Sequence, residues 1–240
     1  MGKKIAIIGY GKMGHMIEEI ALSRGHEIVG IIDPTLAVSR QSSAISFDSE
    51  AFRSADVAIE FTTPATAKDN ILRAWEQGVP VISGTTSWCP EELIVGSLKL
   101  KEAESKKLIV DSKTGKTMLV WSSNFSVGVN IFFEMNKWLA AAISRQQSAI
   151  SYTPSITEIH HIHKLDKPSG TAKTLAEQIV ESQKSKVESP IPIESIREGE
   201  VPGTHEVKWD SEEDTIIITH IAKGRRGFAL GAILAAEMLN

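Results

Sequence analysis

The sequence predicts an α/β fold in which a doubly wound parallel sheet is followed by a region of successive strands. Three observations carry that expectation. Short apolar runs alternate with amphipathic helical patterns over roughly the first half of the chain. A glycine-rich turn joins the first such run to the first helical pattern. From Ser151 the pattern turns to strands, which puts a change of domain near residue 125.

Lys4 to Ile8 is apolar, as a buried parallel strand requires, and Gly9-Tyr10-Gly11-Lys12-Met13-Gly14 follows at once. Met13, Met16, Ile17, Ile20 and Ala21 then repeat at helical spacing until Gly25. Glu27 to Ile32 closes the βαβ unit and ends in Asp33, nineteen residues past Gly14. GxGxxG alone is a weak signal. Between a strand and a helix, with an acid at that distance, it favours a dinucleotide site in which Asp33 accepts from the ribose hydroxyls and repels a 2′-phosphate.

Asp56 to Phe61 and Val79 to Ser83 read as further strands, separated by a helix from about Ala65 to Gln77. The loops after them, Thr62-Thr63 and Gly84-Thr85-Thr86, fall at carboxyl ends of strands, where a doubly wound sheet binds its ligand. Glu91 to Lys107 reads as helix despite Gly96, Leu108 to Val110 as strand, Lys113 to Lys116 as turn, and Thr117 to Trp121 as strand. Val127 to Ile143 is a long apolar helix. Ile191 to Glu198, His205 to Trp209 and Thr215 to Ile221 are strands, and a last helix follows Lys223-Gly224-Arg225-Arg226-Gly227.

The chemistry concentrates in Glu158 to Ala172, EIHHIHKLDKPSGTA, which holds three of the seven histidines. Read as a strand up to Lys164, it directs His160, Ile162 and Lys164 to one face and His161 and His163 to the other. One face thus pairs a titratable imidazole with an ammonium. Pro168 and Gly170 stop the strand, Ser169 or Thr171 can cap the next helix, and its N–H groups beside Lys164 and Lys173 suit a carboxylate or phosphate. Metal binding is the weaker expectation, because alternation splits the histidines and no other cluster supplies ligands.

A net charge of -4 offers no general attraction to nucleic acid or anionic membrane. Cys89 is the only cysteine, so an internal disulfide is excluded, and it lies in a loop before a proline, a poor setting for a thiolate nucleophile. The lysines before the first apolar run do not make a signal peptide, and the most apolar long stretch, Phe228 to Leu239, is too short to span a bilayer. A cytoplasmic protein is expected.

These residues converge on a known family. The chain resembles the bacterial dihydrodipicolinate reductases through EIHHIHKLDKPSGTA above all, and through GYGKMG, FTTP, GTT, SSNFSVGVN, REGEVPGTH, ITH and GFALGA in family order. The resemblance implies a Rossmann domain from residues 1–124 and 222–240 and an inserted α+β substrate and oligomerisation domain, with a mixed or antiparallel sheet, over 125–221. It implies NAD(P)H-dependent reduction of 4-hydroxy-tetrahydrodipicolinate with loss of water, and a homotetramer.

Carried over by motif, His160 is the proton donor, assisted by Lys164. His161, Lys164, Ser169, Gly170 and Thr171 hold the substrate carboxylates. Gly9, Tyr10, Gly11, Lys12, Met13, Gly14, Asp33, Gly84, Thr85, Thr86, Ser122, Ser123, Asn124 and Phe125 line the cofactor, while for Arg225 the basic cluster leaves two readings open, a solvated loop or one that closes over a cofactor phosphate. Pro34 and Thr63 stand where some relatives have arginine, so NADH is the expected cofactor ahead of NADPH. Two other classes compete with this expectation: a different two-domain dehydrogenase acting on a semialdehyde or homoserine, and a module that binds NAD(H) without catalysis.

Overall fold

The apolar run Lys4–Ile8 becomes β1, buried along its last four residues, and pairs in parallel with β2 (Glu27–Ile32) and with β3 (Val57–Glu60). The structure, a computed structural model, describes residues 2–34, 44–88, 90–93, 98–103, 106–111, 118–146, 150–183 and 190–239. It divides into two compact units, Met1–Ser126 with Phe228–Asn240, and Val127–Gly227.

In the first unit β4 (Val81–Ser83), β5 (Leu98–Ala103), β6 (Lys106–Asp111) and β7 (Met118–Ser122) complete a seven-stranded sheet ordered β2-β1-β3-β4-β7-β6-β5. Its first five positions are parallel and the β7-β6-β5 edge is antiparallel. Strand alternation makes two cores. Ile5 and Ile7 pack with α1 (Lys12–Ser23) and with α6 (Arg226–Met238) on one face; Ala6 and Ile8 pack with α2 (Glu50–Arg53) and α3 (Pro64–Glu76) on the other.

One expected element is corrected here. Among the described residues of Glu91 to Lys107 there is no α-helix: a 3-10 turn, Pro90–Leu93, precedes β5 and β6, which pair antiparallel, and β6 pairs with β7. The physical reason lies in the sequence Leu98, Lys99, Leu100, Lys101, which has the two-residue period of a strand and finds a sheet edge to join. Leu108 to Val110 is strand, within β6. Cys89 and the turn expected at Lys113 to Lys116 lie outside the described residues.

In the second unit α4 (Val127–Gln146) and α5 (Gly170–Gln183) cover one face of a four-stranded sheet ordered β11-β10-β8-β9. Here β8 (Thr153–His160) pairs in parallel with β9 (Ile193–Arg197) and antiparallel with β10 (Thr204–Asp210), which turns through acidic residues into β11 (Thr215–Ile221). The core is Phe133, Leu139, Ile143, Ile156, Leu175, Ile179, Val207 and Trp209. Among the described residues no helix is long and apolar enough to cross a membrane.

Candidate active site

The glycine turn of the first unit has the form that a dinucleotide needs. Gly9 sits at φ +91, where a Cβ would lie 2.3 Å from the Phe61 carbonyl oxygen, and its N–H donates to the Ile32 carbonyl at 2.9 Å. A Cβ on Gly14 would lie 2.3 Å from the Gly9 carbonyl oxygen, so α1 can start this close to the strand only with glycine there. A Cβ on Gly11 would meet nothing within 4 Å: the N-cap is open to solvent, without a side-chain cap or an acid in the first turn. Backbone amides so exposed at a helix start fit a pyrophosphate.

Asp33, at the end of β2, accepts the Tyr10 N–H at 2.7 Å and thereby ties the turn to the acidic end of the βαβ unit. The Tyr10 ring leans on His15, and burial together with its hydrogen bond to Glu18 pushes the phenol up to about 12. Lys12 is exposed and Met13 packs against the core.

Sequence reasoning missed the residue that organises the next two loops. Glu60, fully buried at the end of β3, accepts from the Thr62 N–H at 3.0 Å, from Ser83 Oγ at 2.5 Å and Thr85 Oγ1 at 2.9 Å, and from the Thr62 hydroxyl. The Thr85 hydroxyl therefore points inward, and its carbonyl accepts from the indoles of Trp88 and Trp121. Gly84 lies against the Phe61 ring, and Thr86 is half-buried. After β7, Ser122 Oγ donates to the Asn124 carbonyl and accepts its N–H, Asn124 Oδ1 accepts the Ser126 N–H, Ser123 is half-buried and Phe125 is buried under α6.

In the second unit the strand alternation that pairs residues two apart puts Ile156, Glu158 and His160 on the buried face of β8. The strand ends at His160 rather than Lys164, because β9 has its last paired residue, Arg197, opposite His160 and β10 starts opposite Ile159. Past that pairing the chain turns, and the Ile162 N–H donates to the Gly199 carbonyl. Lys164 N–H donates to the His161 carbonyl, and the expected shared face of His160, Ile162 and Lys164 is replaced by a turn that leaves Ile162 and His163 exposed.

Glu158 is the hub of what results. One carboxylate oxygen accepts from Arg197 at 3.0 Å and from the Ser169 N–H at 3.2 Å; the other lies 2.5 Å from His160 Nδ1, with the ring N–H off the hydrogen-bond line. Burial alone would push this carboxyl up, but His160, Ser195 and Arg197 together more than reverse it and hold it well below the usual carboxylate range. His205 faces Glu158 from β10, with its ring edge-on to His160 at 5.0 Å and Nε2 3.2 Å from Ser169 Oγ. Burial, then the charge of His160, push His205 down to about 3.

Ser169 caps α5 by accepting the Ala172 N–H, so Gly170 and Thr171 form the first turn, Thr171 buried and Lys173 exposed. Lys164 pairs with Asp166 at 2.7 Å, and Arg197 also donates to the Asp166 and Lys164 carbonyls, holding the loop. Half-buried His161 has Nε2 3.5 Å from Arg225; burial first and this guanidinium second push it down.

A three-ligand cluster also emerges, contrary to the expectation that no further ligands are at hand: atoms of Glu158, His160 and His205 lie within 4.8 Å of one another. His205 is far away in sequence and only the sheet brings it in. Arg197 on the same carboxylate already supplies positive charge, which disfavours a cation there.

A Rossmann nucleotide-binding unit, with a second unit that holds an imidazole between a buried carboxylate and a lysine-bearing turn, defines an oxidoreductase that uses a pyridine nucleotide. The chain belongs to the dihydrodipicolinate reductase family: residues 3–125 match the profile described as "Dihydrodipicolinate reductase, N-terminus" and residues 128–240 that of its C-terminus. It is 43% identical to a 4-hydroxy-tetrahydrodipicolinate reductase of Christiangramia forsetii over 98% of this chain and 92% of that one. It is 33% identical to one of Staphylococcus aureus, over 98% of this chain and 94% of the relative. Among solved structures it is similar in fold to dipicolinate-bound dihydrodipicolinate reductase from Paenisporosarcina sp. TG-14, with TM-score 0.67 at 20% identity, covering 100% and 95% of the two chains.

Proposed function

We propose that the protein reduces 4-hydroxy-tetrahydrodipicolinate to tetrahydrodipicolinate, with loss of water, and that His160 supplies the proton. The observation that carries this is the buried His160 imidazole beside Glu158, one turn from Lys164 and across from the helix start at Ser169 to Thr171. Bound reduced nicotinamide would supply the hydride. His160 then protonates the carbon next to the one that receives it, while Lys164 offsets charge that develops on the ring. The N–H groups of Gly170 and Thr171, with His161, Ser169 and Lys164, take the two carboxylates. Glycines 9, 11 and 14 hold the pyrophosphate. Gly84, Thr86, Ser123, Asn124 and Arg225 are assigned to the rest of the cofactor, whereas Thr85, Ser122 and Phe125 act from inside by holding their loops.

Asp33, with Pro34 after it and Thr63 in the next loop, supports NADH as the preferred cofactor, since a carboxylate repels a 2′-phosphate. Self-association belongs to the same reading and is supported by Ile217 and Ile221, exposed on edge strand β11. Light scattering checks it. The activity is tested by following oxidation of NADH, then of NADPH, with freshly generated 4-hydroxy-tetrahydrodipicolinate. Turnover with a higher kcat/KM for NADH is expected; binding of NADH without turnover would remove the reading. His160→Gln should lower kcat by roughly two to four decades and leave NADH affinity as it is.

A further inference from the structure

Glu158 is 0% exposed, yet its charge is spread over three groups that come from three different elements. We propose that Glu158 is the positioning residue for the proton donor, fixing the tautomer of His160 and locking that ring to the carboxylate-binding helix start. This rests on the reading of His160 as the donor.

A carboxylate oxygen cannot stand 2.5 Å from an unprotonated ring nitrogen, because two lone pairs would face each other in a medium with little screening. Nδ1 therefore carries a proton in both charge states, its N–H lying off the line to that oxygen. The proton that leaves is therefore the one on Nε2. Gly203 keeps that side clear: a Cβ there would come within 3.1 Å of Nε2. The same carboxylate accepts the Ser169 N–H and the Arg197 guanidinium, which itself donates to the Asp166 and Lys164 carbonyls. Movement of the imidazole relative to the substrate-holding loop would break those bonds.

The charged and titratable groups around His160 are Glu158 on its own strand, Arg197 opposite it on β9, His205 on β10 with His220 behind on β11, and His161 and Lys164 in the turn. Only Glu158 is both negative and in contact with the ring among the described residues.

The test compares Glu158→Gln, His160→Gln and the double variant by kcat, by KM for substrate and for NADH, and by the pH profile of kcat/KM. Removing the carboxylate disfavours the charged imidazole, so in E158Q the alkaline limb should move to lower pH. Its kcat should fall about tenfold to a hundredfold with KM for NADH unchanged, and the double variant should be no slower than H160Q, as groups acting as a unit behave. An E158Q enzyme with unchanged kcat and profile, or losses that multiply in the double variant, overturns the proposal while the donor reading stands. Full activity of H160Q removes both. Gln at 158 leaves Arg197 with an uncompensated charge and can prevent folding, so the wild-type protein offers a second measurement. Side-chain nitrogen NMR should find the neutral His160 ring protonated at Nδ1, and protonation at Nε2 alone overturns the proposal.

Discussion

His205 illustrates what burial does to one titratable side chain. Its ordinary value of 6.5 is pushed down to about 3, first by desolvation and then by the charge of His160, so it is neutral in the folded protein at ordinary pH. A group depressed in the folded state gives stability that is whole above its unfolded value and is lost as pH falls towards the folded one. Stability should therefore decline below about pH 6.5, by about 1.4 kcal/mol per pH unit from this residue while the difference lasts. Glu158 adds to the loss only below the ordinary carboxylate value of 4.5. His205→Gln should flatten the upper part of that decline in denaturant melts between pH 6.5 and 4.5; an unchanged slope would show that His205 protonates without unfolding. Gly203 makes a second prediction at this scale. It lies at φ +149 and its missing side chain clears His160 Nε2, so Gly203→Ala should lower turnover at least tenfold while NADH still binds, as read by fluorescence titration.

At the scale of the element, β3 ends in a carboxylate that ties the loop after it to the loop after β4. Glu60→Ala would leave the hydroxyls of Thr62, Ser83 and Thr85 without this carboxylate acceptor, and should raise KM for NADH roughly tenfold with a smaller effect on KM for substrate. Equal changes in both would mean a general loss of structure. Helix α6 closes the first core by approaching the chain at Phe125: a Cβ on Gly231 would lie 1.7 Å from the Phe125 carbonyl oxygen. Gly231→Ala should cost at least about 2 kcal/mol in a denaturant melt.

Most elements were legible because each states its period locally. The glycine turn, the helix after it and the strands of the first βαβ unit follow from spacing within about thirty residues, as such a unit requires. The β5–β6 pair was not. A run of leucines and lysines suits a helix or an edge strand, and only the free side of β7 decides between them. Ser169 as the cap of α5 could be named as one of two candidates from sequence, whereas its contact with His205 could not.

For the whole molecule, the glycine turn lies in one compact unit and the histidine stretch in the other. Lys164→Ala should then raise KM for substrate and lower kcat, yet leave intact the stabilisation by NADH, about 2.7 kcal/mol at a hundredfold excess over Kd. A thermal shift by NADH that vanished in this variant would relocate Lys164 to the cofactor.

The sequence by itself determined the fold class, the dinucleotide turn with its acid at the end of β2, and the histidine stretch with its strand, its stop and its helix. All of these are written within short windows, where spacing and chirality decide. Tertiary structure alone decided that Glu158, Arg197 and His205 meet around His160, and that Glu60 gathers two loops. A strand's period of two is satisfied by any even shift of register, so sequence says which side chains share a face but not which neighbour stands opposite. The pairing of β8 with β9 and β10 makes that choice, because burying the Glu158 charge is tolerable only in the register that brings Arg197 to it.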